Sequence, residues 1–478
     1  MKKWLVPILM AGAAYWALAG FGSEKASIGA LFALTVSLWI TAPIPIAATA
    51  LLSTSLLVLT GRAGEKIAFA AYGDPIVPLF IGSFILAKAM ELTGLSDRFA
   101  YFILVQKWAN RSPKALLWAL ALIPCVLSLM VSNTATTAMM LPIGLSLLSA
   151  IQARGLDKPY AIAVMLMLTW ASSVAVGLPV GTPPNLIGIG LIEKATGTRI
   201  GFIQWMAFGM PITIVTLAAC WGILWVLYGK NAPNTSGAAK VAEEGQESMG
   251  KLQPSEKAVL AAFSVALLGW MLPDLFELAL GKKHELTSLL QTRVPPSVPA
   301  LLAVALLFAI PCKDRDFGRA ITWKEAATID WGTILLFAAG IAMGQSLFET
   351  GLAKDLGQLA ATAAGAKSVW AITALCTAAA IVLSELASNT AAATTLVPVA
   401  IGLAESAGVS VIPPALGVAI GASFGFMLPV STAPNAIVYS SGLVPSKEMV
   451  KAGLILDVVA FVVIVACLYL ILPSLGLA

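Results

Sequence analysis

The sequence predicts an all-α polytopic membrane protein with about eleven transmembrane helices and two re-entrant hairpins, set in two inverted-topology repeats. Three observations carry that expectation. Of 478 residues, 59% are hydrophobic and only 11% charged, and the mean hydropathy is +0.90; a soluble domain carries about 25% charged residues. Apolar segments of spanning length, roughly 20 residues, recur from Met1 to Ala478, which excludes disordered, collagenous and disulfide-scaffold chains. Finally, two long apolar stretches carry a polar tetrad at their centres, one in each half.

Spans are expected at 4–22, 27–41, 43–61, 76–106, 160–192, 204–229, 256–280, 297–311, 331–349, 415–442 and 450–473. Residues 1–26 hold the first transmembrane helix; its basic start and apolar body lack a small-residue cleavage site, so it reads as a span and not as a leader. Residues 27–229 form the first repeat, with a hairpin at 114–152 and a broken helix at 160–192. The polar stretch 230–255 reads as a flexible cytoplasmic linker. Residues 256–478 form the second repeat, with a hairpin at 368–406 and a broken helix at 415–442. Stretches 114–152 and 368–406 are each long enough to cross twice, but their polar centres suit a tip that stops at midplane.

Charge tests this arrangement. If both hairpins enter and leave on one face, 18 of the 29 Lys and Arg fall on the side of the N-terminus and 10 on the other, with Lys88 alone inside a span. The first group includes Arg98, Arg154, Lys251, Lys257, Arg315 and Lys324. The positive-inside bias then puts the protein in the cell membrane with its N-terminus cytoplasmic and its C-terminus outside. In a chain of this class the net charge of +5 orients the protein and implies no nucleic acid. Cys125, Cys220, Cys312, Cys376 and Cys467 have no metal-site spacing and read as small apolar fillers.

The two halves repeat. Ser128–Pro142 aligns with Ser384–Pro398 without a gap at an offset of 256, and Leu178–Asn185 (LPVGTPPN) aligns with Leu428–Asn435 (LPVSTAPN) at an offset of 250. Weaker echoes pair Thr93-Gly94-Leu95 with Thr350-Gly351-Leu352 and Pro45 with Pro295. With the hairpins opening to opposite sides, the repeats are inverted, the pattern of an alternating-access transporter in contact with the lipid bilayer.

The chemistry follows from the breaks. A hairpin tip at midplane leaves carbonyls and N–H groups without intrahelical partners, and Ser, Asn and Thr are the residues that cap such ends. Prolines in Gly181-Thr182-Pro183-Pro184-Asn185 forbid a continuous helix and suit the start of a resumed one. Hydroxyls, Asn oxygens and freed carbonyls are neutral oxygen donors for a dehydrated alkali cation, while half-helix N-termini favour an anion. No Lys or Arg lies in either motif, so a dianion needs co-bound cations.

The paired Ser-Asn-Thr tips, with GTPPN in one broken helix and STAPN in the other, resemble the divalent anion/sodium symporter family over essentially the whole chain. The resemblance implies sodium-coupled symport of C4-dicarboxylates or related di- and tricarboxylates, including citrate, by a homodimer with an elevator-type mechanism; Na+ is the implied co-transported ion. It implies a first sodium site at Ser128, Ser132, Asn133 and Gly181, and a second at Ser384, Ala387, Asn389, Ser431 and Ala433. It places the substrate against Asn133, Thr134, Thr182, Ser388, Asn389, Thr390 and Thr432. Ala433 stands where the family has the first proline of a second Thr-Pro-Pro; its carbonyl survives, and its N–H is restored.

Other residues read as structural. Glu385 breaks the repeat symmetry, its counterpart being Leu129, and reads as a scaffold or vestibule acid, with a proton-coupling or selectivity role as the alternative. Lys88 and Glu91 can pair on one helix, His284 falls in an outer loop, and Trp4, Trp16, Trp39, Trp221, Trp225 and Trp331 read as interfacial anchors. The alternatives within the class are a sulfate/sodium symporter and a sodium-independent dicarboxylate exchanger. An enzyme is not expected, because the sequence offers no nucleophile, metal cluster or acid–base pair at membrane depth. A channel leaves the repeated hairpins unexplained.

Overall fold

The computed structural model describes residues 2–152, 158–230, 232–356, 358 and 368–478. Arg154, counted on the cytoplasmic side, lies outside the described residues. Among the described residues the chain is helical, with a single β-bridge between Pro311 and Arg319.

The first half contains α1 (Lys2–Leu18), α2 (Ser23–Thr41), α3 (Ile46–Leu59), the short α4 (Glu65–Ala70), α5 (Ile76–Leu92), α6 (Leu95–Leu104), the hairpin arms α7 (Pro113–Ser128) and α8 (Asn133–Gln152), the broken pair α9 (Lys158–Ser173) and α10 (Pro183–Thr196), and α11 (Phe202–Tyr228). After α12 (Ser236–Met249), the second half contains α13 (Pro254–Leu280), α14 (Glu285–Arg293), α15 (Ser297–Ala309), the short α16 (Trp323–Ala326) and α17 (Trp331–Glu349). The arms α18 (Val369–Leu386) and α19 (Asn389–Ser406), the broken pair α20 (Ile412–Gly421) and α21 (Ala433–Tyr439), and α22 (Ser446–Ile471) complete it.

Repeated sequence gives repeated local structure. Ser112 and Ser368 cap α7 and α18, each accepting a backbone N–H at 3.2 Å, from Ala115 and Ala371. Gly94 (φ +76°) and Gly351 (φ +72°) end α5 and α17 in the left-handed region that glycine reaches without strain. The span expected over 76–106 therefore breaks at Gly94 into α5 and the shorter α6.

Eight helices of the described residues are long and apolar enough to cross a bilayer, or nine if α14 and α15, bent by 57°, form one span. Two of the eight, Asn133–Ile151 and Val369–Leu386, are hairpin arms, so length alone does not separate an arm from a span. Other expected spans are shorter: α3 has 14 residues, bounded by Pro45 and Thr60. The 230–255 stretch, expected as a flexible linker, instead contains α12, whose Ala238 and Ala242 are buried. Tertiary contact drives this: Gly237 lies against the backbone of Ala150 in α8, and Gly245 lies against the Tyr101 ring in α6. Trp39 is also no anchor, being 4% exposed in the core.

Ion pairs and polar ties fall into two groups. Arg98 pairs with Glu256 at 2.6 Å and donates to the carbonyls of Met249, Gly250 and Lys251, Arg315 donates to the Leu92 carbonyl and pairs with Glu325, and the Tyr228 hydroxyl donates to Glu448. At other loops, Lys25 pairs with Asp355, Arg62 with Glu24 and Lys194 with Asp74, and Arg199 donates to the Gln291 carbonyl.

The hairpins and broken helices interleave. α7 packs on α9 and α18 on α20 within each half, while α10 packs on α19 and α21 on α8 between halves. Each resumed half-helix thus meets the returning hairpin arm of the other half. α5 packs on α13 and α15, and α3 packs on α17.

Candidate functional site

At both tips a short loop joins two arms, and the returning arm begins at an Asn. Ser132 and Ser388 supply the first cap: their hydroxyls accept the N–H groups of Ala135 and Ala391, each at 3.2 Å. A second contact recurs at the same offset of 256. The Ser128 hydroxyl donates to Asn133 Oδ1 at 2.6 Å, and the Ser384 hydroxyl is 2.8 Å from Asn389 Oδ1 and 2.8 Å from the Ala422 carbonyl. Both serines are fully buried. Capping and side-chain pairing at the tips are therefore the same in the two halves.

The broken helices are braced by their own asparagines. Asn185 Nδ2 donates to the Val176 and Leu178 carbonyls (3.2 and 2.9 Å), and Asn435 Nδ2 donates to those of Gly425 and Leu428 (3.0 and 3.1 Å). The Thr169 hydroxyl donates to Asn435 Oδ1 at 2.8 Å, tying one broken helix to the other. Close backbone approach requires glycine at two points. A Cβ on Gly181 would stand 2.8 Å from the Ala175 carbonyl oxygen and 3.2 Å from that of Leu129, and one on Gly425 would stand 3.2 Å from the carbonyl and hydroxyl oxygens of Ser384.

These elements enclose one cavity of about 740 Å³, a size suited to a small ligand. Its wall contains all seven residues named for the substrate: Asn133, Thr134, Thr182, Ser388, Asn389, Thr390 and Thr432. It also contains Ser132, Gly181, Ser431 and Ala433 of the named sodium sites. Ser128, Ser384 and Ala387 stand behind the wall, buried beneath the tips. The cavity reaches past Lys88 and Glu91 at the end of α5, and past Thr328 and Asp330 before α17. That is the side of the Arg315–Leu92 contact.

The donor set fits sodium. Around Ser128 and Asn133 the nearby oxygens are a hydroxyl, an amide oxygen and the Leu129 and Ala175 carbonyls drawn against Gly181. Around Ser384 and Asn389 they are a hydroxyl, an amide oxygen and the Ala422 and Ser423 carbonyls, the last accepting from Asn389 Nδ2 at 3.2 Å. All are neutral hard oxygens, which suit an alkali cation delivered as cargo.

Three contributions go beyond the sequence reading. Glu385, 2% exposed, accepts the N–H groups of Met427 and Leu428 at 2.8 and 3.0 Å and so holds the second break from behind. Its departure from the repeat at Leu129 was the available signal. Asn185 and Asn435 stood inside the quoted motifs, yet only their contacts reveal them as braces. Lys88 and Glu91 pair at 3.1 Å as expected, but nothing local indicated that this face of α5 lines the cavity.

Two hairpin tips and two broken helices converging on one cavity, with hydroxyl and amide groups of the tips on its wall, within a largely apolar helical chain define a membrane carrier of small solutes. The profile of the sodium:sulfate symporter transmembrane region matches residues 5–476, and the chain belongs to that family. It is 32% identical over 468 residues to a sodium-dependent dicarboxylate transporter, SdcS, of Staphylococcus saprophyticus, covering 95% of this chain and 88% of that protein. It is also 32% identical over 447 residues to the SdcS of Staphylococcus aureus strain MSSA476, covering 91% and 84%. The crystal structure of the YdaH transporter of Alcanivorax borkumensis, described as having an unusual topology, superposes with a TM-score of 0.56 at 14% identity over 89% of each chain. That last likeness concerns the fold alone.

Proposed function

We propose that the protein is a sodium-coupled symporter of C4-dicarboxylates or related di- and tricarboxylates. The observation that carries this reading is the meeting of two repeat-related Ser-Asn-Thr tips across one cavity whose tip and broken-helix donors are neutral. One sodium ion sits at Ser128, Ser132, Asn133 and Gly181, and a second at Ser384, Ala387, Asn389, Ser431 and Ala433. The substrate carboxylates lie between them, against Asn133, Thr134, Asn389 and Thr390. A dianion taken out of water costs more than half-helix ends of about half a charge each can return. At least two monovalent cations therefore accompany each dianion.

For movement the reading is an elevator. The hairpins and broken helices travel as one elevator body against α5, α13 and α15, and the chain works as a homodimer. From the charge count the N-terminus is taken as cytoplasmic and the C-terminus as outside; Lys88, Glu91 and Asp330 on the cavity wall then lie toward the cytoplasmic loops. The sulfate symporter and sodium-independent exchanger readings are separated from this one by uptake of labelled succinate, citrate and sulfate into proteoliposomes, with and without a sodium gradient. Sodium-driven accumulation of succinate or citrate is expected; accumulation of sulfate alone refutes the substrate class.

A further inference from the structure

Among the described residues lining the central cavity, Lys88 is the one cationic side chain; the acids there are Glu91 and Asp330. The sequence motifs contain no cation, so Lys88 changes the charge account of the site. It stands one turn before the end of α5, on a face of that helix (Ser83, Phe84, Ala87, Lys88 and Glu91) that borders the cavity. α5 lies outside the hairpins and broken helices and packs on α13 and α15. The second half has no equivalent, because the echo that aligns Thr93 with Thr350 puts Gln345 opposite Lys88.

The partner of Lys88 is weakly held. Nζ lies 3.1 and 3.2 Å from the two Glu91 oxygens, and the two side chains are 27% and 43% exposed. An i,i+3 pair in water contributes little, so an incoming carboxylate competes with Glu91 on near-equal terms. Low-dielectric walls also strengthen the pull of a cation in a cleft on entering anions.

Resting on the dicarboxylate reading above, we infer that Lys88 is a charge-selecting residue of the cavity wall: it exchanges Glu91 for a substrate carboxylate and supports most strongly those substrates with a third carboxylate. Two sodium ions neutralise a dianion; a trianion leaves one charge, and Lys88 is the side chain on the wall that can meet it. Glu91 holds Lys88 back in the empty cavity. The two residues therefore act with opposite sign on affinity, which a purely structural ion pair would not do.

The test is equilibrium binding of labelled succinate to the purified protein at fixed sodium, with displacement by citrate, for wild type, K88Q, K88R and E91Q at low and high ionic strength. K88Q weakens succinate about three- to fivefold and citrate more, and loses much of its salt dependence, since rim charges act through long-range attraction. K88R keeps wild-type preference, and E91Q tightens both anions about twofold. The sodium dependence of binding stays unchanged in all variants. Shifts of the same sign in K88Q and E91Q, equal shifts for the two anions, no shift, or failure of citrate to displace succinate from wild type each overturn the inference. A wild type that binds neither anion refutes the substrate reading itself, whereas a wild type that binds both, with unmoved variants, refutes only the role of Lys88.

Discussion

Replacing Asn133 with Ala tests the first tip directly. Asn133 Oδ1 accepts the hydroxyl of Ser128, which is fully buried and makes no other hydrogen bond among those resolved here. The substitution removes one hydrogen bond and leaves a buried donor unsatisfied, a cost of about 1 to 3 kcal/mol. It also removes an oxygen from the proposed cation site. At about 1.4 kcal/mol per decade, the apparent sodium affinity falls about tenfold or more. Asn389→Ala differs in an informative way: Ser384 keeps the Ala422 carbonyl as acceptor at 2.8 Å, but the Ser423 carbonyl loses its Asn partner. Thermal unfolding is therefore lowered more by Asn133→Ala, while both variants lose sodium affinity. The assay is initial succinate uptake into proteoliposomes against sodium concentration, with unfolding followed in parallel. Unchanged sodium dependence in both variants would refute the placement of the cation sites.

Further outcomes follow from other contacts. Glu385→Ala frees the N–H groups of Met427 and Leu428 and lowers thermal stability by about 2 kcal/mol or more, with Glu385→Gln intermediate because it keeps one acceptor; equal stability of all three proteins would show that the brace carries no weight. Gly181→Ala forces a Cβ to within 2.8 Å of the Ala175 carbonyl, so backbone must shift, at about 1 to 3 kcal/mol, and uptake should fall sharply, whereas Gly222→Ala, with open space around it, leaves uptake unchanged. For sidedness, a single cysteine at Ala478 in a cysteine-free background reacts with an impermeant thiol reagent from outside, and one at Ser112 does not; the reverse pattern overturns the orientation.

The parts of the site legible in the sequence are those where one residue type has one local consequence. Ser132 and Ser388 cap helices because their hydroxyls reach the N–H three residues on, and Pro183 and Pro434 stand in the first turn of the resumed half-helices, where a missing N–H costs nothing. Their repetition at fixed offsets was visible without any structure. What stayed hidden depends on which faces meet. Lys88 and Glu91 are neighbours in any helix, and only the packing of α5 puts them on the cavity wall. The Glu- and Gly-containing stretch 236–249 is polar on average and its one buried face is built of small residues such as Ala238 and Ala242, yet it folds as α12 because those small residues let it lie close against Tyr101 and Ala150. Glu385 was conspicuous as a buried acid, but its role came from two N–H groups about forty residues away in the chain.

The central claim is that neutral donors at two repeat-related tips oblige the substrate to travel with sodium. The most direct test is uptake of labelled succinate into empty proteoliposomes under an inward sodium gradient, compared with potassium and with vesicles preloaded with unlabelled succinate. The account predicts accumulation in empty vesicles only with sodium, with a sigmoidal sodium dependence and a Hill coefficient above one. Equal uptake in sodium and potassium by preloaded vesicles, with no accumulation in empty ones, would contradict it.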